Sequence, residues 1–326
     1  MTIMIMYLAF FGGSRGWDML LTRYIDLGLL IMLTVYALRH VRRWGIVEQL
    51  GVAAIAVHAT AGAINQVSMG WVGWRALTLS GYIGMYLWCK RHPPGDKHII
   101  AAGWGLWALT MMFWTVSGFR RMWFLDNPNI TGAVFLLLWP VGVGNLRGIW
   151  RWLWIAAGTL SILSTGSRSA AGGLTTAAVY MLNAPGWASI FSGVAALVFQ
   201  YTQTPINASS GERFMYHTSR STVRTRLKMY QRALQNLIDS PGLGRGPYSI
   251  IQMDNAIHAH NMWLTWGSDT GAAGLTLITA ITQTVLRKRS RWVNAALLGW
   301  SVSQLTDDTL WFMSVGLVVM MLLARD

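Results

Sequence analysis

Two histidines and an asparagine stand directly before an apolar run. His258, His260 and Asn261 precede Met262 and the helix-like stretch that follows it. Histidine is the side chain whose unperturbed pKa, about 6.5, lets it accept and return a proton near neutral pH. The pattern therefore makes His260 and His258 candidates for acid–base chemistry. Zinc binding is disfavoured, because no third ligand of a suitable type is spaced near the two histidines.

Arginines supply the second set of candidate groups. Arg168 stands among small residues and is predicted at a membrane-helix end, where an ionisable group either serves function or snorkels to the interface. Segment 203–257 carries seven Lys or Arg side chains against three carboxylates, a net charge of +4. The guanidinium fork suits phosphate, because it donates paired hydrogen bonds and stays charged. We expect Arg168, Arg224, Arg226 and Arg245 to meet an anionic substrate; a solvated basic surface is the alternative.

The combination of residue types narrows the chemistry further. Histidine and several arginines occur here without a nearby carboxylate pair or Asp-x-Asp motif. That combination favours transfer from a phosphate-activated donor, with neither a metal nor another cofactor.

Composition predicts that these residues belong to a polytopic membrane protein. Of the 326 residues, 53% are hydrophobic and 12% are charged, whereas a soluble domain has about a quarter of its residues charged. About twelve apolar stretches recur: 2–12, 20–38, 45–64, 71–89, 98–118, 129–145, 149–165, 169–183, 187–202, 258–285, 292–306 and 309–324. We therefore predict an all-α, multi-pass chain that forms a single transmembrane domain over 1–326. A soluble α/β enzyme would have to bury too many of its 19 Trp residues.

The net charge and the cysteine content exclude other classes. A net charge of +14 on a membrane protein favours contact with anionic lipid or an anionic substrate. No nucleic-acid partner is expected, because no soluble basic domain is evident. The single cysteine, Cys89, excludes an intramolecular disulfide and a multi-cysteine metal site. The first residues lack a basic n-region and are interpreted as a short membrane segment.

Lys and Arg in short loops predict the orientation, since such residues favour the cytoplasmic side. Three clusters fall on one side when the spans are counted, and a weaker one at Arg147–Arg151 joins them. The three are Arg39–Arg43, Lys90–Lys97 and Arg287–Arg291. The same count places the turn 165–169, the large loop 203–257 and His258 together on the outer face.

The large outer loop is predicted to contain an amphipathic helix. Apolar residues recur there at helical spacing: Leu227, Tyr230, Leu234, Leu237 and Ile238. We expect this helix to lie against the membrane surface or to cap a cavity. A glycine-rich turn at 239–247 ends it and either approaches a ligand through its backbone or simply reverses the chain.

Four motifs, in order along the chain, resemble those of bacterial O-antigen ligases and the related O-antigen polymerases. The matching stretches are His260-Asn261 followed after nine residues by Gly271-Ala272-Ala273-Gly274, Ser164 to Ser169, Arg226 to Tyr230 leading into Asp239 to Pro247, and Asp126 to Asn129. The resemblance covers nearly the whole chain. The chain departs from the family pattern at Tyr230, where the family has Trp, and at Arg245, which interrupts the glycine turn.

The resemblance implies a GT-C-like membrane glycosyltransferase in the bacterial inner membrane, with its site facing the periplasm. The donor would be a glycan on polyprenyl (undecaprenyl) diphosphate, and the acceptor would be lipid A-core. His260 would act as general base, while Arg168 and Arg226 would stabilise the leaving diphosphate. Asn261 would orient His260, and His258 would supply a second polar contact.

Three functions remain open from the sequence. A ligase and a polymerase share the donor, but the polymerase acceptor is a lipid-linked repeat. A transporter or flippase for the lipid-linked glycan would favour ionisable groups near the membrane midplane. Arg75 and the Asp307-Asp308 pair are minor exceptions to the clustering of such groups at the outer face. The pair Gly271 and Gly274 is expected to let the helix after His260 pack closely on a neighbour.

Overall fold

Helices account for the regular secondary structure of the residues that the structure describes. The computed structural model describes residues 19–40, 45–117, 128–202, 220–250, 259–286, 290–306, 308, 310 and 313–325. In chain order the helices are α1 Met19–His40, α2 Ile46–Ile64, α3 Met69–Arg91, α4 Asp96–Ser117, α5 Pro128–Asn145, α6 Gly148–Ser164, α7 Arg168–Met181, α8 Gly186–Thr202, α9 Arg220–Asp239, α10 Met262–Leu286, α11 Arg291–Ser303 and α12 Met313–Leu323. The prediction of an all-α chain is confirmed over these ranges. The predicted apolar segment 2–12 lies outside them.

The centre of the bundle is α5. It packs against α4, α6, α7, α11 and α12, and its residues are buried without interruption from 130 to 142. A helix that is apolar on all sides has to be enclosed by other elements. Gly142 makes close packing possible, because the indole of Trp154 fills the space where a side chain would lie. That indole also donates a hydrogen bond of 2.8 Å to the carbonyl oxygen of Trp139.

Helices α7 and α11 are antiparallel and in backbone contact. Gly173 and Gly299 face each other so closely that a Cβ on either would clash with the carbonyl oxygen of the other. Further along, the guanidinium of Arg291 donates a hydrogen bond of 2.6 Å to the carbonyl oxygen of Tyr180. These two contacts fix the register of the pair along its whole length.

A second group of helices surrounds α3, which packs against α1, α2 and α12. Helix α10 packs against α2 and against α9. Helix α9 is the predicted amphipathic helix, and it runs beside the first half of α10. Its apolar stripe divides between two environments, because Tyr230 and Leu237 are half-buried while Leu227, Leu234 and Ile238 are exposed.

Positive side chains gather at one end of the bundle, here called the basic end. Arg91 donates to the carbonyl oxygen of His40 at 3.3 Å, and Lys90 lies 3.7 Å from the buried carboxylate of Glu48. Arg325 forms an ion pair with Asp96 and covers the ring of Trp292. The described parts of the three predicted Lys/Arg clusters therefore lie at the same end.

The turn 165–169 lies at the opposite end. The start of α5 at Gly132 touches Thr165, Ser167 and Ala170 in this turn, whereas Gly144 near its other end touches Trp292. Twelve residues of helix separate these contacts by about 18 Å. The predicted separation of the turn from the basic clusters is thus present in the fold.

Within the described residues, one helix is both long and apolar enough to cross a membrane: Ile46–Ile64. Shorter apolar helices occur at Leu27–His40, Asn129–Asn145 and Gly186–Gln200. Several large apolar side chains face outward on α6 and α8, among them Trp152, Trp187 and Phe191, which are 67%, 75% and 72% exposed. Large exposed apolar surfaces of this kind mark contact with a membrane or a partner.

Candidate active site

Residues 304–306, here called the 304–306 segment, join the end of α11 to the region where the predicted site residues meet. Gln304 is completely buried, and its carbonyl oxygen accepts a hydrogen bond of 3.1 Å from the backbone of Met262. The segment thereby fixes the start of α10 to the end of α11. Sequence reasoning missed this segment, although a glutamine inside the predicted apolar run 292–306 was a visible signal.

His260 occupies a left-handed backbone conformation, with φ of 50°. Such values are uncommon for residues other than glycine and cost of the order of 1–3 kcal/mol, a strain that concentrates at active sites. The hydroxyl of Tyr230 on α9 donates to the carbonyl oxygen of His260 at 3.3 Å. The imidazole is half-buried. His260 is therefore held in a strained conformation just before the start of α10.

Asn261 caps α10 and anchors it to the 304–306 segment. Its Oδ1 accepts a hydrogen bond of 3.0 Å from the backbone of Leu264, and its Nδ2 donates to the carbonyl oxygen of Leu305 at 2.8 Å. A side-chain cap of this type is worth about 1 kcal/mol. These two contacts of the Asn261 side chain fix the start of α10, directly after His260.

Arg226 reaches the same segment from α9. Its Nη1 donates to the carbonyl oxygen of Thr306 at 2.9 Å, and the residue is half-buried. Arg226 and Tyr230 are one helical turn apart, so they share a face of α9. That face is turned toward His260 and the 304–306 segment.

Arg168 reaches the site through the α7–α11 pair. Gly173 faces Gly299, so the antiparallel register places Arg168, five residues earlier, level with Gln304. Arg168 is the first residue of α7 and is half-buried. The preceding residue caps the helix, because Ser167 Oγ accepts from the backbone of Ala170 at 3.2 Å. The fold thus brings Arg168, Arg226, His260 and Asn261 to one end of the bundle.

The other predicted site residues are placed differently or lie outside the described residues. Arg245 forms an ion pair of 3.0 Å with Asp239, and its backbone binds Ser268 deeper along α10. The structure therefore does not bring Arg245 to the 304–306 segment. Arg224 lies on α9, but its side chain is outside the description, as is the whole of His258.

Helix α10 is broken at Gly271, which has φ of 62° and ψ of −154°. The predicted packing of this glycine against a neighbouring helix is replaced by contact with the glycine-rich turn: a Cβ at Gly271 would lie 2.6 Å from the carbonyl carbon of Gly242. Gly274 serves the helix itself, because the hydroxyl of Thr270 fills the space beside it. The break is the feature that seats the turn against α10.

The turn satisfies the backbone groups that the break releases. The amides of Arg245 and Gly246 donate to the carbonyl oxygens of Ser268 and Asp269, at 2.8 and 2.9 Å. In return, the amides of the next two residues of α10 donate to the turn. The amide of Ala272 donates to the carbonyl oxygen of Pro241 at 2.7 Å, and the amide of Ala273 donates to that of Gly242 at 3.2 Å. All four groups are paired, as buried backbone requires.

An ion pair lies directly beside this break. Arg75 on α3 contacts Asp269 on α10 at 3.1 Å, and both side chains are 2% exposed. Ser249 donates to the other carboxylate oxygen through its hydroxyl at 3.1 Å and its backbone at 3.3 Å. The sequence signal was a single arginine in one apolar run and a single aspartate in another, since buried charges of opposite sign pair. Sequence reasoning noted Arg75 but not Asp269.

Tyr248 covers the ion pair. The guanidinium of Arg75 lies 4.3 Å from the centre of the Tyr248 ring, and Trp71 packs on that ring at 4.5 Å. Burial raises the pKa of the Tyr248 phenol; Arg75 opposes this rise, and the carboxylates of Asp269 and Asp308 add to it. The phenol therefore stays protonated at neutral pH.

An apolar cavity of about 70 Å³ opens between α2, α3, α10, α11 and α12. Trp266 and Leu310 line it toward the site, while Ile281 and Met320 line it toward the basic end. The hydroxyl of Tyr82, which also lines it, donates to the carbonyl oxygen of Leu310 at 2.6 Å. The cavity thus begins just beyond the 304–306 segment.

No family model matches this chain, and no curated protein matches it either.

Proposed function

We propose that the chain is an O-antigen ligase-type glycosyltransferase, which moves a glycan from polyprenyl diphosphate to lipid A-core. The observation that carries the proposal is the placement of Arg168, Arg226 and His260 at one end of the bundle. Arg226 contacts the 304–306 segment, the residues directly after His260 bind it, and the register of α7 on α11 sets Arg168 level with Gln304. The three site residues come from three distant parts of the chain and combine two cations with one imidazole. A solvated basic surface would not require half-buried arginines at the same end of the bundle as a strained histidine.

The reaction is a substitution at the anomeric carbon of the donor sugar. The acceptor hydroxyl oxygen attacks this carbon, and the bond between the carbon and the diphosphate oxygen breaks. His260 takes the hydroxyl proton, a role that contributes about two to four orders of magnitude in rate. The electron pair of the broken bond stays on the diphosphate, which leaves with the polyprenyl chain.

Arg168 and Arg226 stabilise the charge that develops on the leaving diphosphate. Each guanidinium offers a planar fork that matches two phosphate oxygens. Preorganised donors aimed at a developing charge supply the largest single contribution in many enzymes. The Arg226 contact with the Thr306 carbonyl oxygen fixes the guanidinium beside the 304–306 segment.

The apolar cavity beside the site suits the polyprenyl tail. Its lining is almost wholly apolar, with Trp266 and Leu310 at the end nearest the site. A diphosphate held at the 304–306 segment would thus lie next to a space that accepts its first isoprene units. This arrangement favours a lipid-linked donor over a soluble sugar nucleotide.

The proposal includes a multi-pass chain of about twelve spans in the bacterial inner membrane. The basic end would face the cytoplasm, in accordance with the preference of Lys and Arg for that side. The site would then face the periplasm. The outward-facing apolar side chains of α6 and α8 support this placement, because lipid would cover them.

The test is a reconstituted transfer reaction with purified protein, a polyprenyl diphosphate-linked glycan and lipid A-core. The wild type should release free polyprenyl diphosphate, and His260→Ala should lower the rate by about two to four orders of magnitude while inserting normally. His92→Ala, an exposed histidine at the basic end, is the matched control and should be silent. Wild-type turnover in a well-inserted His260→Ala protein would contradict the assignment.

The acceptor arm separates the related functions. Release of polyprenyl diphosphate only when a lipid-linked repeat replaces lipid A-core would identify a polymerase. Movement of the donor across the bilayer without any release would identify a transporter. In a deletion strain, a ligase predicts loss of all long chains from the lipid anchor, with lipid-linked polymer accumulating.

A further inference from the structure

The Arg75–Asp269 pair lies outside the cluster at the 304–306 segment and takes no part in the proposed transfer. Asp269 lies seven residues after Met262, the first residue of α10, which is about 10 Å of helix. A buried ion pair is costly to form and contributes little net stability, so its presence calls for a reason other than stability. The contacts that the pair makes with neighbouring elements indicate a role in positioning them.

Three elements meet at the pair. Arg75 belongs to α3 and Asp269 to α10, while Tyr248 and Ser249 belong to the segment that follows the glycine-rich turn. The turn itself is tied to α2, because Asn65 donates to the carbonyl oxygen of Gly244 at 3.1 Å. The pair therefore decides how the turn sits in the break of α10.

Helix α9 is joined to the same place. Asn236 is almost completely buried and donates to Ser268 Oγ at 2.9 Å. Ser268 Oγ in turn lies 2.8 Å from Ser249 Oγ, which donates to Asp269. The end of α9 is thus held by a chain of hydrogen bonds that terminates on the Asp269 carboxylate.

The other half of α9 carries the site residues. Arg226 is ten residues before Asn236, about 15 Å along a rigid helix. A shift at the Asn236 end therefore moves Arg226 and Tyr230 relative to the 304–306 segment. Small displacements of a group that must meet developing charge are enough to cost a large factor in rate.

We infer that the Arg75–Asp269 pair positions α9 against the 304–306 segment. Arg75 and Asp269 are positioning residues that act through Arg226 and Tyr230. The effect on catalysis rests on the proposed function, whereas the effect on the placement of α9 does not. The two are therefore tested separately.

The placement is measured by the distance distribution between two spin labels. Leu234→Cys on α9 and Ile64→Cys at the end of α2 are exposed positions, 48% and 62%. The labels are introduced with Cys89→Ser, since Cys89 is the single cysteine. With the pair intact we expect one narrow distribution. Arg75→Met combined with Asp269→Asn should broaden it or shift it by several ångströms.

The double variant removes both charges together, which avoids leaving one of them buried alone. Asp269→Asn alone is the second variant, because it keeps the size of the side chain and its acceptor for Ser249. Glu48→Gln is the matched control, a buried carboxylate whose ion pair is at the basic end, and it should leave the distribution narrow. An unchanged narrow distribution in whichever of the two pair variants inserts would overturn the inference.

The catalytic arm follows kcat and KM in the reconstituted reaction. The double variant should insert and melt like the wild type, yet lose at least tenfold in kcat with little change in KM for the acceptor. A broadened distance distribution with full kcat would show that α9 moves without consequence and would refute the catalytic part. If the wild type itself transfers no glycan, the proposed function fails, while the spin-label result still decides the positioning.

Discussion

At the scale of single residues, the site depends on how His260 is held. Its left-handed backbone is strained, and the hydroxyl of Tyr230 is the side-chain group seen to hold its carbonyl oxygen. Asn261, the residue after His260, is itself fixed, because its side chain caps α10 and binds Leu305 in the 304–306 segment. The imidazole is thus placed by its neighbours on both sides of the peptide chain.

Tyr230→Phe should lower kcat about fivefold and leave KM unchanged. One neutral hydrogen bond is worth about 1 kcal/mol, which corresponds to about that factor in rate. Turnover in proteoliposomes at saturating donor is the measurement. Tyr180→Phe is the matched control, because Tyr180 lies at the basic end and its ring contact with Arg291 is retained. Full activity in Tyr230→Phe would show that the backbone of His260 is held by other contacts.

Arg226→Lys should lower kcat about a hundredfold, although the charge is kept. The ammonium group is a point charge and loses the fork that matches a diphosphate, and loss of one such donor typically costs two to three orders of magnitude. Single-turnover rates with purified protein are the measurement. Arg232→Lys tests the specificity of the effect, since Arg232 is exposed on the same helix and should be silent. Equal losses in both variants would mean that the effect is not specific to Arg226 and would contradict its assigned contact with the diphosphate.

At the scale of elements, the break of α10 is the least ordinary feature. Two glycines in the left-handed region, Gly244 and Gly271, meet where neither has room for a Cβ. Together they let the backbone of the turn form hydrogen bonds with backbone groups of α10 on both sides of the break. This makes the broken helix and the turn a single unit.

Gly271→Ala should destabilise the protein by about 2 kcal/mol or more. The added methyl group meets the backbone of Gly242 at 2.6 Å, and the left-handed conformation adds strain of its own. Thermal unfolding in detergent is the measurement. Gly73→Ala is the control, because nothing lies within 4 Å of its Cβ position and alanine favours the helix by up to about 1 kcal/mol. A Gly271→Ala protein as stable as the wild type would show that the turn yields easily.

The helices themselves were predictable from sequence, because apolar runs and basic clusters are local patterns. The predicted stretch 129–145 agrees with α5 to within one residue, and 98–118 agrees with α4 to within two. The shared end of Arg168 and His260 followed from counting spans, and the register of α7 on α11 accords with it. The break at Gly271 was not predictable, since it depends on contact with a turn distant in sequence.

The roles within the site were predictable only in part. Residue type alone pointed to His260 and Arg226, because few side chains accept a proton or bind phosphate. The assignment of Arg245 to a substrate rested on its position in a turn, whereas its side chain pairs with Asp239. The 304–306 segment contributes mainly backbone carbonyls, so its visible signal in the sequence was limited to the polar Gln304 within an apolar run.

At the scale of the whole molecule, the basic end and the candidate site lie at opposite ends of the bundle. The basic end holds Lys90, Arg91, Arg291 and Arg325, and the opposite end holds the site. An orientation in a bilayer would therefore fix the compartment in which the proposed transfer takes place.

Labelling of single cysteines should show that orientation directly. In a Cys89→Ser background, Ser68→Cys should react with a membrane-impermeant maleimide in intact spheroplasts, because the loop between α2 and α3 lies at the site end. Gly95→Cys, in the loop between α3 and α4 at the basic end, should react only after permeabilisation; both positions are exposed. The opposite pattern would place the site in the cytoplasm and exclude a periplasmic acceptor.

The enclosure of α5 has a consequence for biogenesis. Its residues 130–142 are covered by protein on every side, yet α7, α11 and α12 are translated after it. In a chain inserted in a membrane as proposed, α5 would first contact acyl chains and would exchange these contacts for side-chain contacts only after the later helices have been translated. Because the 304–306 segment belongs to that late part, the candidate site cannot be assembled until this segment has been translated.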